Sequence, residues 1–377
     1  MTQPSEMSWL EEPDFERTVI GQKADALLEH AFGLRLKTPI AELPLQLNPI
    51  LIGRDATCTL QLPSRMVSRH HAVIYKAGKH HVVRDLHSTN GVLLNGVRVT
   101  RAVIRAGDNL LMGDQKLSLT KGLPSSQQYS SACVVLFLDL ENSTSLAERY
   151  GDAFSKDMQA QMQLLEDQVL IHLGTPVKLL GDGLMCAFGL WPVEAKDYHA
   201  VDQAMRFAWQ AVKQFRQLEG YEPMRLRVGL HWGPVVVAER SELDLFGDTV
   251  NTAARLEDAN KHFGTQILVS SEVRERTRLA PCLREVDTIR VQGKDEAVNV
   301  YTWDETFVET RSDTHRAAYA KALDLYRSGQ FPEAVPLLEQ GEAENDNLSV
   351  RLKQRILSVG MQPPPNFDGA WSLKKAK

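Results

Sequence analysis

Cysteine is scarce: the chain of 377 residues holds Cys58, Cys133, Cys186 and Cys282, far apart and with no CxxC pair. That excludes a disulfide-stapled fold and argues against a zinc site, and a reducing cytoplasm is the simplest setting. No apolar run approaches the ~20 residues a membrane helix needs. The opening MTQPSEMSWLEEPDFERTVI lacks the basic and apolar regions of a secretory leader, so a soluble protein is expected. Neither sign of charge dominates, with 43 Lys and Arg against 48 Asp and Glu and a net charge of −5. No bulk field favours nucleic acid or an anionic membrane, and any phosphate site must be local. What is present is 43% hydrophobic and 24% charged residues, enough for two or three domains with proper cores.

Residues 1–32 read as a mobile N-terminal segment. From 33 to 120, short apolar runs such as ILIGR, HAVIYKAG and GVLLNGVRV are broken by Gly, Asn and Asp, which predicts many short strands and an all-β sandwich or barrel. KGLPSSQQYS, residues 121–130, reads as a linker. From 131 to 305, strand-like runs such as ACVVLFLDL and RLRVGLHWG alternate with helical periods, the pattern of an α/β domain. Residues 306–377 hold a predicted helical hairpin turning at Ser328-Gly329, similar to one unit of a TPR-like array, followed by a tail. A lone unit cannot bury its own face, so docking on the α/β domain or on a second chain is expected. Phe367 and Trp371 are expected to anchor the tail.

Within the α/β segment, LFLDLENST ends an apolar run on the carboxylate of Asp139. KLLGDGLMCAFG sets Asp182 between two glycines, which permits a tight hairpin with the carboxylate at its tip. If the hairpin lies beside the strand the carboxylates converge, and paired hard oxygens suit Mg²⁺ when phosphates complete its coordination. Taken singly, Asp139 reads equally as a helix cap and Asp182 as a turn residue. In LDLFGDTVNTAARLE, Asn251 and Arg255 are four apart and share one helix face. They can hold a ribose and a phosphate in register, or be a surface polar pair.

In this order and spacing, the segments from about Ser131 to Asp304 resemble the class III nucleotidyl cyclase catalytic domain, of ferredoxin-like α+β fold. VQGKDEAVNVY resembles that family's late strand with a phosphate-binding lysine. The resemblance implies that Asp139 and Asp182 hold two divalent cations, Mg²⁺ or Mn²⁺. Asn251 would orient the ribose, Arg255 would stabilise charge on the α-phosphate, and Lys294 would bind the terminal phosphates. Base-reading positions map to Lys178 and Asp244, the pair complementary to adenine, which implies ATP as substrate and cyclic AMP as product. Because the family divides these residue sets between subunits, a homodimer with two sites is implied. Guanylate cyclase is the runner-up, and a phospho-dependent scaffold with a silent cyclase domain is the rival from another class. Three departures from the family are Asn142-Ser143 in place of its usual Gly-Phe, Pro234 where some members carry arginine, and the short segment VVVAERSELDLFG, which lacks glycines often found there and leaves Asp244 assigned by its distance from Gly247.

ILIGRDATCTLQLPSRMVSRHHAVI with VVRDLHSTNGVLLNG resembles the forkhead-associated domain, a sandwich that binds phosphothreonine peptides at its loops. The resemblance implies that Arg54 and Ser68 bind phosphate, Thr89 packs near the phosphothreonine, Asn90 binds the peptide backbone, Arg69 adds a contact and His71 braces the loops. The ligand would be a phosphothreonine protein, or the chain's own Thr18 in DFERTVIG once phosphorylated; Thr18 reads equally as an unmodified tail residue.

Overall fold

The computed structural model describes residues 34–38, 42–45, 49–77, 80–121, 132–190, 199–239, 243–290, 297–303 and 313–372. Thr18, the linker from residue 122 onward and Lys294 lie outside the described residues.

The N-terminal part is a β-sandwich. Its strands are β1 (Leu34–Lys37), β2 (Glu42–Pro44), β3 (Ile50–Gly53), β4 (Leu60–Gln61), β5 (Ala72–Ala77), β6 (His80–Asp85), β7 (Val92–Leu94), β8 (Val97–Val99), β9 (Arg101–Ile104), β10 (Asn109–Met112) and β11 (Gln115–Lys121). They form one sheet in the order β2-β1-β11-β10-β7-β8 and a second in the order β4-β3-β5-β6-β9. Leu36, Ile52, Ile74, Val83, Leu110 and Leu117 fill the space between them. Inward apolar residues alternate with outward polar ones, as in β10, where Leu110 and Met112 are buried and Asn109 and Leu111 exposed.

The next part is built on an eight-stranded sheet in the order β13-β14-β12-β15-β18-β20-β19-β21. These strands are β12 (Ala132–Leu140), β13 (Gly174–Leu180), β14 (Gly183–Phe188), β15 (Leu226–Pro234), β18 (Ile267–Ser270), β19 (Leu283–Arg290), β20 (Val298–Trp303) and β21 (Trp371–Ser372). A separate ribbon pairs β16 (Val236–Glu239) with β17 (Leu243–Phe246). Helices α1 (Ser143–Tyr150), α2 (Asp152–Ile171) and α3 (Ala200–Arg216) cover one face, and α4 (Asp248–Phe263) packs on the other. On β12, Leu136, Leu138 and Leu140 point into the first layer. Strand alternation therefore turns Asp139 to the face that carries α4. A short helix, α5 (Ser271–Arg276), links β18 to the strands beyond.

The expected hairpin is α6 (Asp313–Arg327) and α7 (Phe331–Glu342), with Tyr326 stacked on Phe331 at 5.0 Å. The sequence reading stopped one helix short, because α8 (Asn347–Ser358) follows. Together they bury the hairpin's face on the α/β domain, where Tyr319, Leu323 and Leu352 pack with Leu256 and Phe263 of α4 and Val300 of β20. Phe367 meets Tyr326 and Phe331 edge-on, and Trp371 lies 4.2 Å from the Arg355 guanidinium, so both tail aromatics are anchors.

The sandwich also packs directly on the α/β domain. Leu51, Val73, Tyr75, Val82 and Leu86 share an apolar cluster with Leu170 and Leu173 at the end of α2. Arg84 caps the contact, with Nη1 2.8 Å from Glu166, Nε 2.6 Å from Asp167 and Nη2 donating to the Gln163 carbonyl at 3.1 Å.

Candidate active site and phosphate-binding loops

The two aspartates converge. Strands β13 and β14 join through Gly181-Asp182 alone, since Leu180 and Gly183 are already paired. Gly181 has φ 67°, a left-handed value at the first turn position that glycine tolerates without strain. The hairpin tip lies against the end of β12, where a Cβ built on Gly183 would stand 3.3 Å from Asp139 Oδ1. Burial raises the Asp139 carboxyl above its ordinary value; a hydrogen bond from Arg227 opposes the rise, and the nearby Asp182 charge adds to it. A half-buried carboxylate whose charge is disfavoured by burial and by a neighbouring carboxylate is a place that a cation stabilises. Among the described residues no group of three or more His, Cys, Asp or Glu gathers as a metal cage. Two carboxylates supply hard oxygen donors, which fit a cation that takes its other ligands from phosphate, water and backbone.

Asp139 does not cap α1. The N-cap is Asn142, held at φ 60° and ψ 28°, and no side chain caps the helix. Asparagine is the side chain besides glycine that most readily enters this left-handed region, so Asn142 adopts the turn at little cost.

The sequence reading missed a charged bridge beneath Asp139. Arg227 is its register partner on β15 and donates from Nη2 to Asp139 Oδ2 at 2.5 Å. Arg227 Nε stands 2.9 Å from Glu257 Oε1 on α4. Burial pushes the Glu257 carboxyl up to about 7 against the pull of Arg227, with Asp139 adding to the rise. The bridge exists because α4 lies very close to β15: a Cβ on Gly229 would fall 2.2 Å from the Glu257 backbone nitrogen, so only glycine permits the approach. An arginine inside the apolar run LRVGL was the available signal.

Lys178 is exposed on β13, just past an irregularity in pairing between Pro176 and Lys178. Asp244 is half-buried on β17, which runs beside β13. Asn251 and Arg255 lie one turn apart near the start of α4, Asn251 exposed and Arg255 half-buried.

At the end of the sandwich the predicted phosphate residues come together. Thr89 N donates to Ser68 Oγ at 3.1 Å, and Asn90 Nδ2 donates to the Met66 carbonyl at 2.7 Å. Arg54 N donates to the Ser68 carbonyl at 3.0 Å, which ties the β3 end to the same loop, and the Arg54 and Arg69 side chains are exposed. His71 is fully buried; its Nδ1 accepts from Ser68 N at 3.1 Å and Nε2 lies 3.0 Å from the Gly91 carbonyl. It joins the two loops as a brace and does not face the ligand side.

Residues 125–303 match the adenylate and guanylate cyclase catalytic domain, and residues 50–113 match the FHA domain. The chain thus joins a forkhead-associated domain to a class III cyclase catalytic domain. Among curated relatives, adenylate cyclase 2 of Rhizobium meliloti (strain 1021) is 34% identical over 166 residues, covering 41% of this chain and 44% of that one. Adenylate cyclase 1 of the same organism is 28% identical over 178 residues, 44% of this chain and 26% of that one. Retinal guanylyl cyclase 1 of Homo sapiens is 30% identical over 162 residues, 41% of this chain and 15% of that one. The chain spans less than half the length of each of these relatives.

Proposed function

We propose that the protein is an adenylate cyclase that works as a homodimer and is regulated by phosphothreonine recognition. The convergence of Asp139 and Asp182 on one sheet edge carries this reading. In the reaction the ribose 3′-oxygen of ATP bonds to the α-phosphorus, the bond from that phosphorus to the bridging oxygen breaks, and pyrophosphate leaves; the hydroxyl proton passes to solvent. Asp139 and Asp182 would hold two divalent cations, Mg²⁺ or Mn²⁺, which when bound acidify the attacking hydroxyl and neutralise the leaving phosphates. Arg227 holds Asp139 on the substrate side of the sheet. Asn251 orients the ribose, Arg255 meets charge growing on the α-phosphate, and Lys294 takes the terminal phosphates. Lys178 donates to adenine N1 and Asp244 accepts from its amino group; guanine inverts both demands.

Two observations support the dimer. Glu257 reaches toward Asp139, and Arg255, two residues earlier, lies about 200° around the helix from it, so one chain's Asn251–Arg255 face is turned away from its own aspartates. Beside the site, Leu180, Val236 and Phe246 expose 44%, 64% and 49% of their surface, an apolar rim suited to a second copy.

Regulation is supported by the loop after β6. Its Thr89 and Asn90 belong to the phosphate seat, while His87 at the start of the same loop stands 3.2 Å from Asp167 on α2. A ligand that moves this loop acts on the cyclase domain through His87 and its neighbour Leu86, which packs with Leu170 and Leu173.

The deciding experiment is cyclic nucleotide production from ATP and from GTP with Mg²⁺ or Mn²⁺, using parent, Asp139→Ala and Arg255→Ala. Cyclic AMP from the parent and none from either variant is the expected result. Cyclic GTP product in its place would make the protein a guanylate cyclase, and no product from confirmed dimers with phosphopeptide added would leave the scaffold reading.

A further inference from the structure

An open pocket of about 560 Å³ lies beside the phosphate seat, lined chiefly by Arg54, Asp55, Pro63, Ser64, Arg65 and Arg69. Ser68, Thr89 and Asn90 are outside its lining, so it adjoins the seat through Arg54 and Arg69 and does not coincide with it. Arg65 belongs to no motif of the domain described so far. Its backbone is fixed on both sides, by Ser64 Oγ donating to Asp114 at 2.6 Å and by the Met66 carbonyl accepting from Asn90 at 2.7 Å. Among the described residues the guanidiniums of Arg54 and Arg65 make no hydrogen bond or ion pair, while Arg69 is drawn electrostatically to Asp55. The only carboxylate lining the pocket, Asp55, already accepts from Thr57 N at 3.0 Å and Thr57 Oγ1 at 2.7 Å. With Arg54 and Arg69 assigned to the phosphate, Arg65 on the same wall adds a guanidinium for a further negative group.

The chain contains a segment with that charge. Glu11, Glu12, Asp14 and Glu16 precede Thr18, with Arg17 the one basic residue among them. We infer that the pocket takes the acidic residues upstream of the phosphothreonine, with Arg65 as its selective contact, and that the phosphorylated segment around Thr18 is the sequence it fits. This rests on the phosphothreonine reading of the seat. It adds a rule for choosing among phosphothreonine ligands: an acidic stretch on the N-terminal side is preferred.

The test uses full-length Thr18→Ala protein, which cannot occupy its own site through Thr18, and labelled peptides of residues 9–22 followed by fluorescence anisotropy. One peptide carries phosphothreonine at 18. A second carries it with Glu11, Glu12, Asp14 and Glu16 changed to Gln, Gln, Asn and Gln. A third keeps the acids and lacks the phosphate. The acidic phosphopeptide should bind about tenfold more tightly than the neutralised one, the size expected for one or two charge-assisted contacts. Adding Arg65→Ala should erase that difference and leave the neutralised phosphopeptide's affinity unchanged. Because Arg65 is exposed, the variant folds as the parent does. Equal affinities in the parent, a difference that survives Arg65→Ala, or equal binding of the unphosphorylated acidic peptide would overturn the inference. If neither phosphopeptide binds while Arg54→Ala behaves as the parent, the phosphothreonine reading itself fails and takes the inference with it.

Discussion

Asp139 shows how a single residue acquires its setting from both directions along the sheet. Its strand places it opposite the core, its hairpin neighbour brings Asp182, and Arg227 shares one guanidinium between it and Glu257. Asp182→Asn keeps the turn and removes one charge, so cyclase activity should fall by at least about a hundredfold, as when a group acting in the transition state is lost. Binding of Mn²⁺ followed by its paramagnetic resonance should weaken in parallel; unchanged binding would remove Asp182 from the cation site. Glu257 makes a prediction about pH. Its carboxyl is raised from 4.5 to about 7, so between those values the folded protein holds a proton that the unfolded chain has released. Stability from this group is therefore fully present at low pH and is lost as pH rises through about 7. Thermal midpoints measured across that range should fall more steeply with pH for the parent than for Glu257→Gln; parallel curves would refute the shift.

At the scale of elements, the contact between sandwich and α/β domain rests on α2. Asp167 is 5% exposed and faces Arg84 and His87. Arg84→Met leaves that carboxylate buried without its main counterion and should cost about 3 kcal/mol. The double change Arg84→Met, Asp167→Leu should recover most of it, and denaturant unfolding of the parent and the two variants measures both numbers. The same changes should separate phosphopeptide binding, which persists, from any effect of the peptide on cyclase rate, which is lost. None of this contact was legible in the sequence, because Arg84 and Asp167 carry no local pattern that distinguishes them from ordinary surface charges. The elements that carry the candidate site were legible, since Gly181-Asp182 and the Asn251–Arg255 spacing encode a turn and a helix face locally. Helix α8 had a signal too: Leu348, Leu352 and Ile356 recur every four residues behind the N-cap Asp346. β21 had none, because two residues become a strand only once the tail has docked.

For the whole molecule, a site shared by two chains makes activity depend on concentration. Specific activity should drop on dilution in step with the loss of dimer seen by sedimentation, and a 1:1 mixture of Asp139→Ala and Arg255→Ala chains should regain part of the parent rate, since one of the two sites in a mixed dimer is intact. The C-terminal helices are equally a property of the whole. Ending the chain at residue 304 would uncover Leu256, Ala259 and Phe263 on α4, so the shortened protein should bind a hydrophobic dye and precipitate.

The same C-terminal segment alters one border of the sheet. The sheet runs from β13 at one border to β21 at the other, and the short β21 covers the end of β19. Trp371 and Ser372 pair with Ile289 and Arg290, and the Tyr319 hydroxyl donates to the Val286 carbonyl at 2.8 Å. An uncovered strand border offers its backbone groups to any strand that meets it. The tail is in that sense a partial stopper, shortening the stretch of β19 on which another strand can build.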